Sequence, residues 1–331
     1  MKGVFLASAT ALAISAGMVQ AADSKPAVVY DQAGKFDKSF NEGVFNGVQR
    51  YTADTSIQVR EFEPKNEAQV EQGLRRLAKR GYSPIVAVGF SMTSAVEKVA
   101  KDFPEIHFSI IDGVIDLPNV QSIVFKEHEG SFLVGALAVM ASKTNTVGFV
   151  GGMDIPLIRK FGCGYEQGAK YISADATVIQ NMTGSTGAAF NDPTKGSELA
   201  KSQFSQGADV VFAAAGGTGI GVYQAAKDEG KFAIGVDSNQ NHLQPGTMLS
   251  SMVKRVDQAA YNAYSEAAAD EWEAGFTVLG LAEGGIDWAQ DEHNANLITS
   301  EMKAKMKEIS AKIISGEINV HDYMSDNTCA Y

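Results

Sequence analysis

Residues 85–111 read IVAVGFSMTSAVEKVAKDFPEIHFSII, and this stretch decides the fold class. Two short runs of apolar and β-branched residues, 85–88 and 108–111, lie on either side of a segment, 93–103, whose apolar residues recur at helical spacing. A strand, a helix and a second strand in that order form a β-α-β unit, in which the two strands are parallel. The stretch therefore predicts a parallel sheet that is covered by helices.

The same alternation extends in both directions along the chain. The predicted strands of a first set are residues 27–30, 57–61, 85–88, 108–111 and 120–125, and helical patterns at 39–51 and 68–80 lie between the early ones. After a helix at 129–143, a second set follows at residues 147–150, 177–180, 210–213, 233–236 and 248–253. The sequence thus predicts an α/β protein with two doubly wound parallel-sheet lobes of five strands each.

The last part of the chain holds too few strands for a third domain. Helical patterns cover residues 256–272 and 299–315, and a single strand is predicted at 277–281. We therefore expect these elements to complete the two lobes, so that the chain crosses between them about three times and forms a hinge. The predicted lobes are residues 26–126 with about 255–278, and residues 127–254 with about 279–331.

The first residues have the pattern of a secretory signal peptide. Lys2 supplies a positive charge, residues 4–19 are apolar and uncharged, and Val19-Gln20-Ala21 forms a small-x-small cleavage sequence. We expect residues 1–21 to be removed and the remaining chain to be exported to the periplasm. The formal net charge is −11 and the pI is near 5.0. This acidity argues against binding to nucleic acid or to an anionic membrane surface.

The chain has two cysteines, Cys163 and Cys329. In an oxidising compartment, an even number of cysteines favours a disulfide between them. Two free buried thiols are the alternative. Neither cysteine has the Cys-x-x-Cys spacing of a redox motif or a nearby pair of histidines, so the pattern does not indicate a zinc site.

Carboxylates, a cation, glycines and aromatic residues follow several of the predicted strands. In open parallel sheets, ligands bind beyond the carboxyl ends of the strands. The residues near these ends are Asp31, Phe90, Asp112, Phe212, Gly216, Gly217, Asp237 and Lys254. An aspartate in such a position often does no more than cap the next helix. Because these residue types recur in both lobes, however, the sequence predicts a ligand site between the lobes.

The sequence contains no recognisable motif for catalysis or for a cofactor. The glycine loop at 216–221 lacks the last glycine of a dinucleotide fingerprint, and no Gly-Lys-Ser/Thr follows it. Residues 237–248 begin like a calcium loop, but His242 replaces the required glycine and Met248 replaces the closing glutamate. The five histidines are scattered. We therefore predict a protein that binds a ligand without catalysis and that holds neither a metal nor a cofactor.

Several blocks of the sequence resemble one known family. Residues 29–41, VYDQAGKFDKSFN, are similar to the signature of the Bmp (basic membrane protein, PnrA-like) family of transport-associated binding proteins. The resemblance continues through residues 215–222, AGGTGIGV, and 251–254, SMVK, and covers nearly the whole chain after the predicted signal peptide. It implies a type I periplasmic-binding-protein fold and the uptake of a purine nucleoside through an ABC importer. The implied partner is the importer's permease, and we expect a monomer.

The resemblance also implies which residues hold the base. Asp31 and Gln32 would face its polar edge, Phe40 would stack on its ring, and Phe212 would be the partner ring from the other lobe. Stacking on an aromatic side chain contributes ~1–3 kcal/mol per base. Gln32 stands where Asn or Thr is more usual in the family, which leaves the base preference open. For Phe40, the alternative is a core position in the first helix.

Asp237 and Lys254 are implied to hold the ribose hydroxyls. A carboxylate suits a ribose diol, because a charge-assisted hydrogen bond in a dry cleft contributes ~1.5–3 kcal/mol. The other expected ligand contacts are Asn41, Phe90, Asp112, Gly216 and Gly217. Three alternatives stay open: a free nucleobase or another polar ring compound as the ligand, a membrane sensor as the partner, and an exported enzyme. Many family members are lipoproteins, whereas no cysteine is found near this cleavage sequence.

Overall fold

A computed structural model describes residues 25–329 of the chain and contains two six-stranded β-sheets. The predicted signal peptide, residues 1–21, lies outside the described residues. Within residues 25–329, no helix is long and apolar enough to cross a membrane. The two sheets with their helices form two α/β lobes, which confirms the predicted fold class.

Strands and helices alternate along most of the described chain, as in successive β-α-β units. The strands are β1 (Ala27–Val29), β2 (Arg60–Phe62), β3 (Ile85–Val88), β4 (Phe108–Ile111), β5 (Val120–Phe125), β6 (Thr146–Met153), β7 (Thr177–Gly184), β8 (Val210–Ala214), β9 (Phe232–Asp237), β10 (Met248–Lys254), β11 (Gly275–Leu279) and β12 (Ile286–Trp288). The α-helices are α1 (Phe40–Thr55), α2 (Glu67–Lys79), α3 (Thr93–Asp102), α4 (Glu127–Ala141), α5 (Pro156–Ile172), α6 (Pro193–Ser205), α7 (Gly219–Asp228), α8 (Val256–Ala268) and α9 (Ser300–Ile314).

The first lobe has the strand order β11-β5-β4-β3-β1-β2, and all of its strand pairs are parallel. The second lobe has the order β12-β10-β9-β8-β6-β7, and β12 runs antiparallel to β10. Each lobe thus has one strand more than the five of its predicted set: β11 corresponds to the single strand predicted at 277–281, whereas β12 was not predicted. Strand β12 was missed because three residues are too few to show a recognisable alternation.

The chain passes between the lobes at three places: between β5 and α4, between β10 and α8, and between β11 and β12. These crossovers are joined by backbone hydrogen bonds, from Lys126 to Leu279 (2.9 Å) and from Arg255 to Gly285 (2.8 Å). Such a cluster of crossovers is suited to act as a hinge. From the strand membership, we propose that the lobes comprise residues 26–126 with about 255–278, and residues 127–254 with about 279–331.

Helix α4 lies in the core of the second lobe and packs against α5 at backbone distance. A Cβ atom added at Gly135 in α4 would lie 2.0 Å from the carbonyl oxygen of Tyr165 in α5. Real side-chain atoms do not approach a carbonyl so closely, so only glycine permits this packing. The close contact fixes α5, whose first turns reach the space between the lobes.

The C-terminal segment is attached to α5. Cys163 in α5 and Cys329 are joined by a disulfide, with their Cα atoms 5.4 Å apart. The side chain of Gln167, also in α5, donates a hydrogen bond to the carbonyl of His321 (2.9 Å) and accepts one from its N–H (2.8 Å). The segment therefore lies along the second lobe.

Candidate functional site

A cavity lies between the lobes, at the carboxyl ends of both sheets. It contains about 560 Å³ of space that atoms do not fill, part of which is open to solvent. The structure brings together at its wall the predicted site residues Asp31, Phe40, Phe90, Asp112, Gly216, Asp237 and Lys254. These residues come from distant parts of the sequence and from both lobes, as expected for a ligand site at the carboxyl ends of parallel strands.

Four predicted site residues do not line the cavity. Gln32 is exposed to solvent, whereas Asn41, Phe212 and Gly217 are buried. A Cβ atom added at Gly217 would lie 3.4 Å from the carbonyl oxygen of Phe190, which is ordinary van der Waals contact with the loop after β7.

The ring of Phe212 lies in the core of the second lobe. Its centre is 5.6 Å from the ring of Phe149 and 5.4 Å from that of Tyr165. Phe212 comes two residues before the end of β8, which places it about 7 Å below the sheet edge where the cavity lies. The aromatic rings that the second lobe does contribute to the cavity are those of Phe161 and Phe190.

Phe161 and Phe190 were missed from the sequence, as were the neighbouring cavity residues Leu157 and Ile158. Phe161 lies in the second turn of α5, the helix that follows β6. Phe190 ends a short 3₁₀ segment that follows β7. The carboxyl-end rule points to the segments after these two strands, but which ring of such a segment reaches the cavity depends on tertiary packing.

Two buried polar side chains, Asp37 and Asn41, order the loop between β1 and α1. Asp37 accepts hydrogen bonds from the backbone N–H groups of Ser39 (2.9 Å) and Asn41 (3.0 Å), so it caps the start of α1 and helps to place Phe40. Asn41 donates from Nδ2 to Oδ1 of Asp31 (2.7 Å) and accepts from the backbone N–H of Asp31 (3.2 Å). Asn41 therefore orients Asp31 from behind the cavity wall. Asp37 itself lines the cavity and was not predicted.

Asp112 and Asp237 occupy corresponding positions in the two lobes. Asp112 directly follows β4, Asp237 ends β9, and both have a left-handed backbone, with φ of 65° and 63°. This conformation is uncommon for residues other than glycine, although aspartate tolerates it better than most. Each lobe thus uses an unusual backbone conformation to place a carboxylate at the cavity, as is frequent at ligand sites.

Burial raises the pKa values of several carboxyls in the cavity. It raises the pKa of Asp237 to about 7, even though Lys254 and the hydroxyl of Ser39 act to lower it. It raises the pKa of Asp31 to about 6, against the effect of the hydrogen bond from Asn41. These two carboxyls therefore change protonation close to neutral pH, and a ligand that donates hydrogen bonds to them favours their charged forms.

Among the described residues, Lys254 is the one cationic side chain that lines the cavity. Its Nζ lies 2.6 Å from Oδ2 of Asp112 and 2.9 Å from Oε1 of Glu127. Burial acts to lower the pKa of Lys254, but the neighbouring carboxylates outweigh it and raise the pKa above its ordinary value, so the ammonium stays charged. Nζ is also 5.2 Å from the centre of the Phe40 ring, within range of a cation–π contact.

Hydrogen bonds join the two lobes at the edge of the cavity. The hydroxyl of Ser39 donates to Oδ2 of Asp237 (2.7 Å), and the hydroxyl of Ser238 donates to the carbonyl of Ser39 (2.8 Å). The buried side chain of Gln240 donates to the carbonyl of Lys38 (2.7 Å). Residues before α1 in the first lobe thus bind residues in and after β9 in the second, which shows the lobes in contact across the cavity.

The cavity offers hydrogen-bond acceptors, one cation and aromatic faces. Within residues 25–329, no three His, Cys, Asp or Glu side chains are grouped so that they could hold a metal ion. Apolar and aromatic walls with a few polar groups are typical of small-molecule sites. Two α/β lobes with such a site between them have the architecture of a solute-binding protein.

The chain belongs to the Bmp family, described as ABC transporter substrate-binding protein PnrA-like, whose model matches residues 25–323. It is 32% identical over 321 residues to the CD4+ T-cell-stimulating antigen of Listeria monocytogenes, covering 90% of this chain and 88% of that one. It is also 32% identical over 321 residues to the ABC transporter nucleoside-binding protein BmpA of Lactococcus lactis subsp. cremoris, with 90% and 89% covered.

A crystal structure of an ABC transporter solute-binding protein from Aeropyrum pernix K1 is similar to this fold, with a TM-score of 0.81 and 29% sequence identity. The match covers 89% of this chain and 92% of that chain. The family resemblance expected from the sequence is therefore confirmed. Its members are solute-binding proteins of ABC transporters, which act outside the cytoplasm and pass a small ligand to a permease.

Proposed function

We propose that this protein is the periplasmic solute-binding component of an ABC importer and that it binds a purine nucleoside in the cavity between its lobes. The apolar residues 4–19 and the cleavage sequence that ends at Ala21 support export. The ligand would pass to the permease of the importer, and the protein would act as a monomer without catalysis.

The proposal rests on a buried hydrogen-bond acceptor that has no partner among the described residues. This acceptor lies in a cavity with aromatic walls. Oδ1 of Asp112 is buried, and no described residue donates a hydrogen bond to it. An unsatisfied buried polar group costs about 1–3 kcal/mol, so a ligand that donates to this oxygen removes that cost. The rings of Phe40, Phe161 and Phe190 line the same cavity. A nucleoside supplies what both features require, since it has a flat base and several N–H or hydroxyl donors.

The charges of the cavity favour a nucleoside over a nucleotide. Asp31, Asp37, Asp112 and Asp237 all line it, and Lys254 is already paired with Asp112. A phosphate in this position would be repelled by the carboxylates, and the described residues of the wall offer it no cation besides the paired Lys254. The ribose diol, in contrast, can donate to a carboxylate. We propose that Asp237 and Lys254 contact the ribose.

The base would then lie against the rings, with Asp31 at its polar edge and Phe40 stacked on its face. Phe161 or Phe190 takes the place that the family resemblance implied for Phe212. A relative supports the ligand class, because BmpA of Lactococcus lactis, 32% identical to this chain, is described as nucleoside-binding.

Calorimetric titration of the protein with adenosine, guanosine and inosine, their free bases and their monophosphates tests the proposal. At least one nucleoside should bind with a dissociation constant below ~100 μM, or about −5.5 kcal/mol, and more tightly than its base or monophosphate. Absence of such binding would contradict the nucleoside assignment. Chromatography of each mixture should recover the nucleoside intact, and release of base and sugar would show an enzyme instead.

A further inference from the structure

A chain of buried ion pairs leads away from the cavity. It begins with Asp112 and Lys254, whose Oδ2 and Nζ atoms are 2.6 Å apart. Glu127 bridges two lysines, with Oε1 2.9 Å from Nζ of Lys254 and Oε2 2.9 Å from Nζ of Lys160. Nζ of Lys160 lies 3.4 Å from Asp322 in the C-terminal segment, where the chain approaches the surface.

The chain of ion pairs lies at the hinge. Asp112 follows β4 of the first lobe, Lys254 ends β10 of the second, and Glu127 begins α4 directly after the first crossover. The side chains of Lys254 and Glu127 are each 1% exposed. Buried charges are tolerated only when they are paired, so each of these groups depends on its neighbours for its charge.

Glu127 is the most strongly held carboxylate of this cluster. Burial by itself would raise the pKa of Glu127, yet Lys254 and Lys160 together lower it to about 2. Lys160 is in turn anchored by a hydrogen bond from its Nζ to the carbonyl of Phe125 (2.7 Å). Glu127 is therefore a fixed anion on the side of Lys254 that faces away from the ligand cavity, whose walls do not include Glu127.

The position of Lys254 decides which carboxylates of the cavity stay free to accept hydrogen bonds from a ligand. An ammonium has three donors, and Asp112 and Glu127 take two of them. Asp237 also attracts Lys254. Without Glu127, the ammonium would be drawn between Asp112 and Asp237, and it would neutralise the carboxylate that the ribose diol needs. Glu127 opposes this movement and leaves the third donor for the ligand.

We propose that Glu127 is a positioning residue for ligand binding: it holds the ammonium of Lys254 away from Asp237, and Lys160 balances its charge. The inference rests on the proposed function, because the ribose is the part of the ligand that it concerns. Glu127 touches no ligand and acts through Lys254 alone.

The test compares the Glu127→Gln variant with wild type by calorimetry, using adenosine and guanosine and their free bases. The nucleoside that wild type binds should bind the variant about tenfold more weakly, since contacting charged residues couple at this level. The free base should change by less than about threefold. Glu71→Gln, a loss of the same charge from a surface ion pair with Arg75, is the matched control and should bind as wild type does.

The pH profile separates positioning from a general loss of structure. The groups that face Lys254 are Asp112, Glu127 and Asp237, with Lys160 behind Glu127. In Glu127→Gln the ammonium of Lys254 moves toward Asp237 and lowers the pKa of that carboxyl. The fall in nucleoside affinity that wild type shows as the pH drops through about 7 should therefore occur at lower pH in the variant.

A double variant, Glu127→Gln with Lys160→Met, keeps the proposal testable if the single change prevents folding, because it leaves no unpaired buried lysine. It should show the same weakening and the same pH profile. Wild-type affinity in both variants, or an equal loss for nucleoside and base without a shifted pH dependence, would overturn the positioning role. If wild type binds no nucleoside, the proposed function fails and this inference fails with it.

Discussion

Replacing Asp237 by asparagine removes one charge from the cavity and keeps the shape of the side chain. In the structure, Oδ2 of Asp237 accepts from the hydroxyl of Ser39 (2.7 Å), and no hydrogen bond to Oδ1 is found among the described residues. A charge-assisted hydrogen bond contributes ~1.5–3 kcal/mol, and asparagine keeps a neutral acceptor. We therefore expect a loss of about 1.5–2 kcal/mol, or a rise of about 10–30-fold in the dissociation constant of the nucleoside.

The pH dependence identifies the carboxylate that is responsible. Burial raises the pKa of Asp237 to about 7 and that of Asp31 to about 6. Because a ligand donor binds the ionised form, affinity should be full about one pH unit above the pKa of Asp237 and should be lost as the pH falls through these values. Below its pKa, each carboxyl can lower the nucleoside affinity by up to about tenfold per pH unit. In Asp237→Asn, the loss of affinity centred near pH 7 should disappear, and the loss at lower pH, which is due to protonation of Asp31, should remain.

Calorimetry between about pH 5 and pH 8 measures both effects. Asp116→Asn, a loss of the same charge at an exposed position, is the matched control and should leave affinity unchanged. The free base should bind Asp237→Asn nearly as it binds wild type. A variant with wild-type affinity for the nucleoside and an unchanged pH profile would refute a contact between Asp237 and the ligand.

Phe40→Ala should weaken nucleoside and free base alike by about 5–150-fold, because stacking contributes ~1–3 kcal/mol, and unchanged calorimetric affinity would exclude Phe40 from the base site. Thiol labelling of denatured, unreduced protein should find no reactive thiol, because Cys163 and Cys329 are bonded, and two labelled cysteines would contradict this. Gly135→Ala should lower the free energy of unfolding by ~1–3 kcal/mol or more, because its methyl group would meet the carbonyl of Tyr165, and an unchanged melting temperature would contradict the close packing of α4 on α5.

The two-lobe architecture could be predicted because each β-α-β unit is a local pattern. Residues 85–111 show it most clearly, and the structure has β3, α3 and β4 there. Strand β12 could not be predicted in the same way. It has only three residues, and it is formed through pairing with β10, more than thirty residues earlier in the chain. Such a strand is specified by its partner rather than by its own pattern.

The first-lobe side of the site was easier to predict than the second. Asp112 directly follows β4 and Asp31 comes two residues after β1, so the carboxyl-end rule places both at the cavity. Phe212 does not obey the rule, because it stands two residues inside β8 and packs into the core. Phe161 and Phe190 reach the cavity from a helix and a 3₁₀ segment, where the position of a ring depends on tertiary packing.

The role of Lys254 shows a further limit of the sequence. Its place at the end of β10 was predictable, but its ion pairs with Asp112 and Glu127 join residues from three separate segments. No local pattern indicates that these charges neutralise one another. The contacts of a buried charge therefore have to be taken from the structure before a role is given to it.

A competition experiment tests the central claim most directly. The protein is mixed with equal concentrations of nucleosides, nucleobases, sugars and amino acids, separated from unbound solutes by filtration, and denatured, and the released ligand is then identified by mass spectrometry. The account predicts that a purine nucleoside is retained in preference to every other class. Retention of a sugar, an amino acid or a free base instead, or of no solute at all, would contradict it.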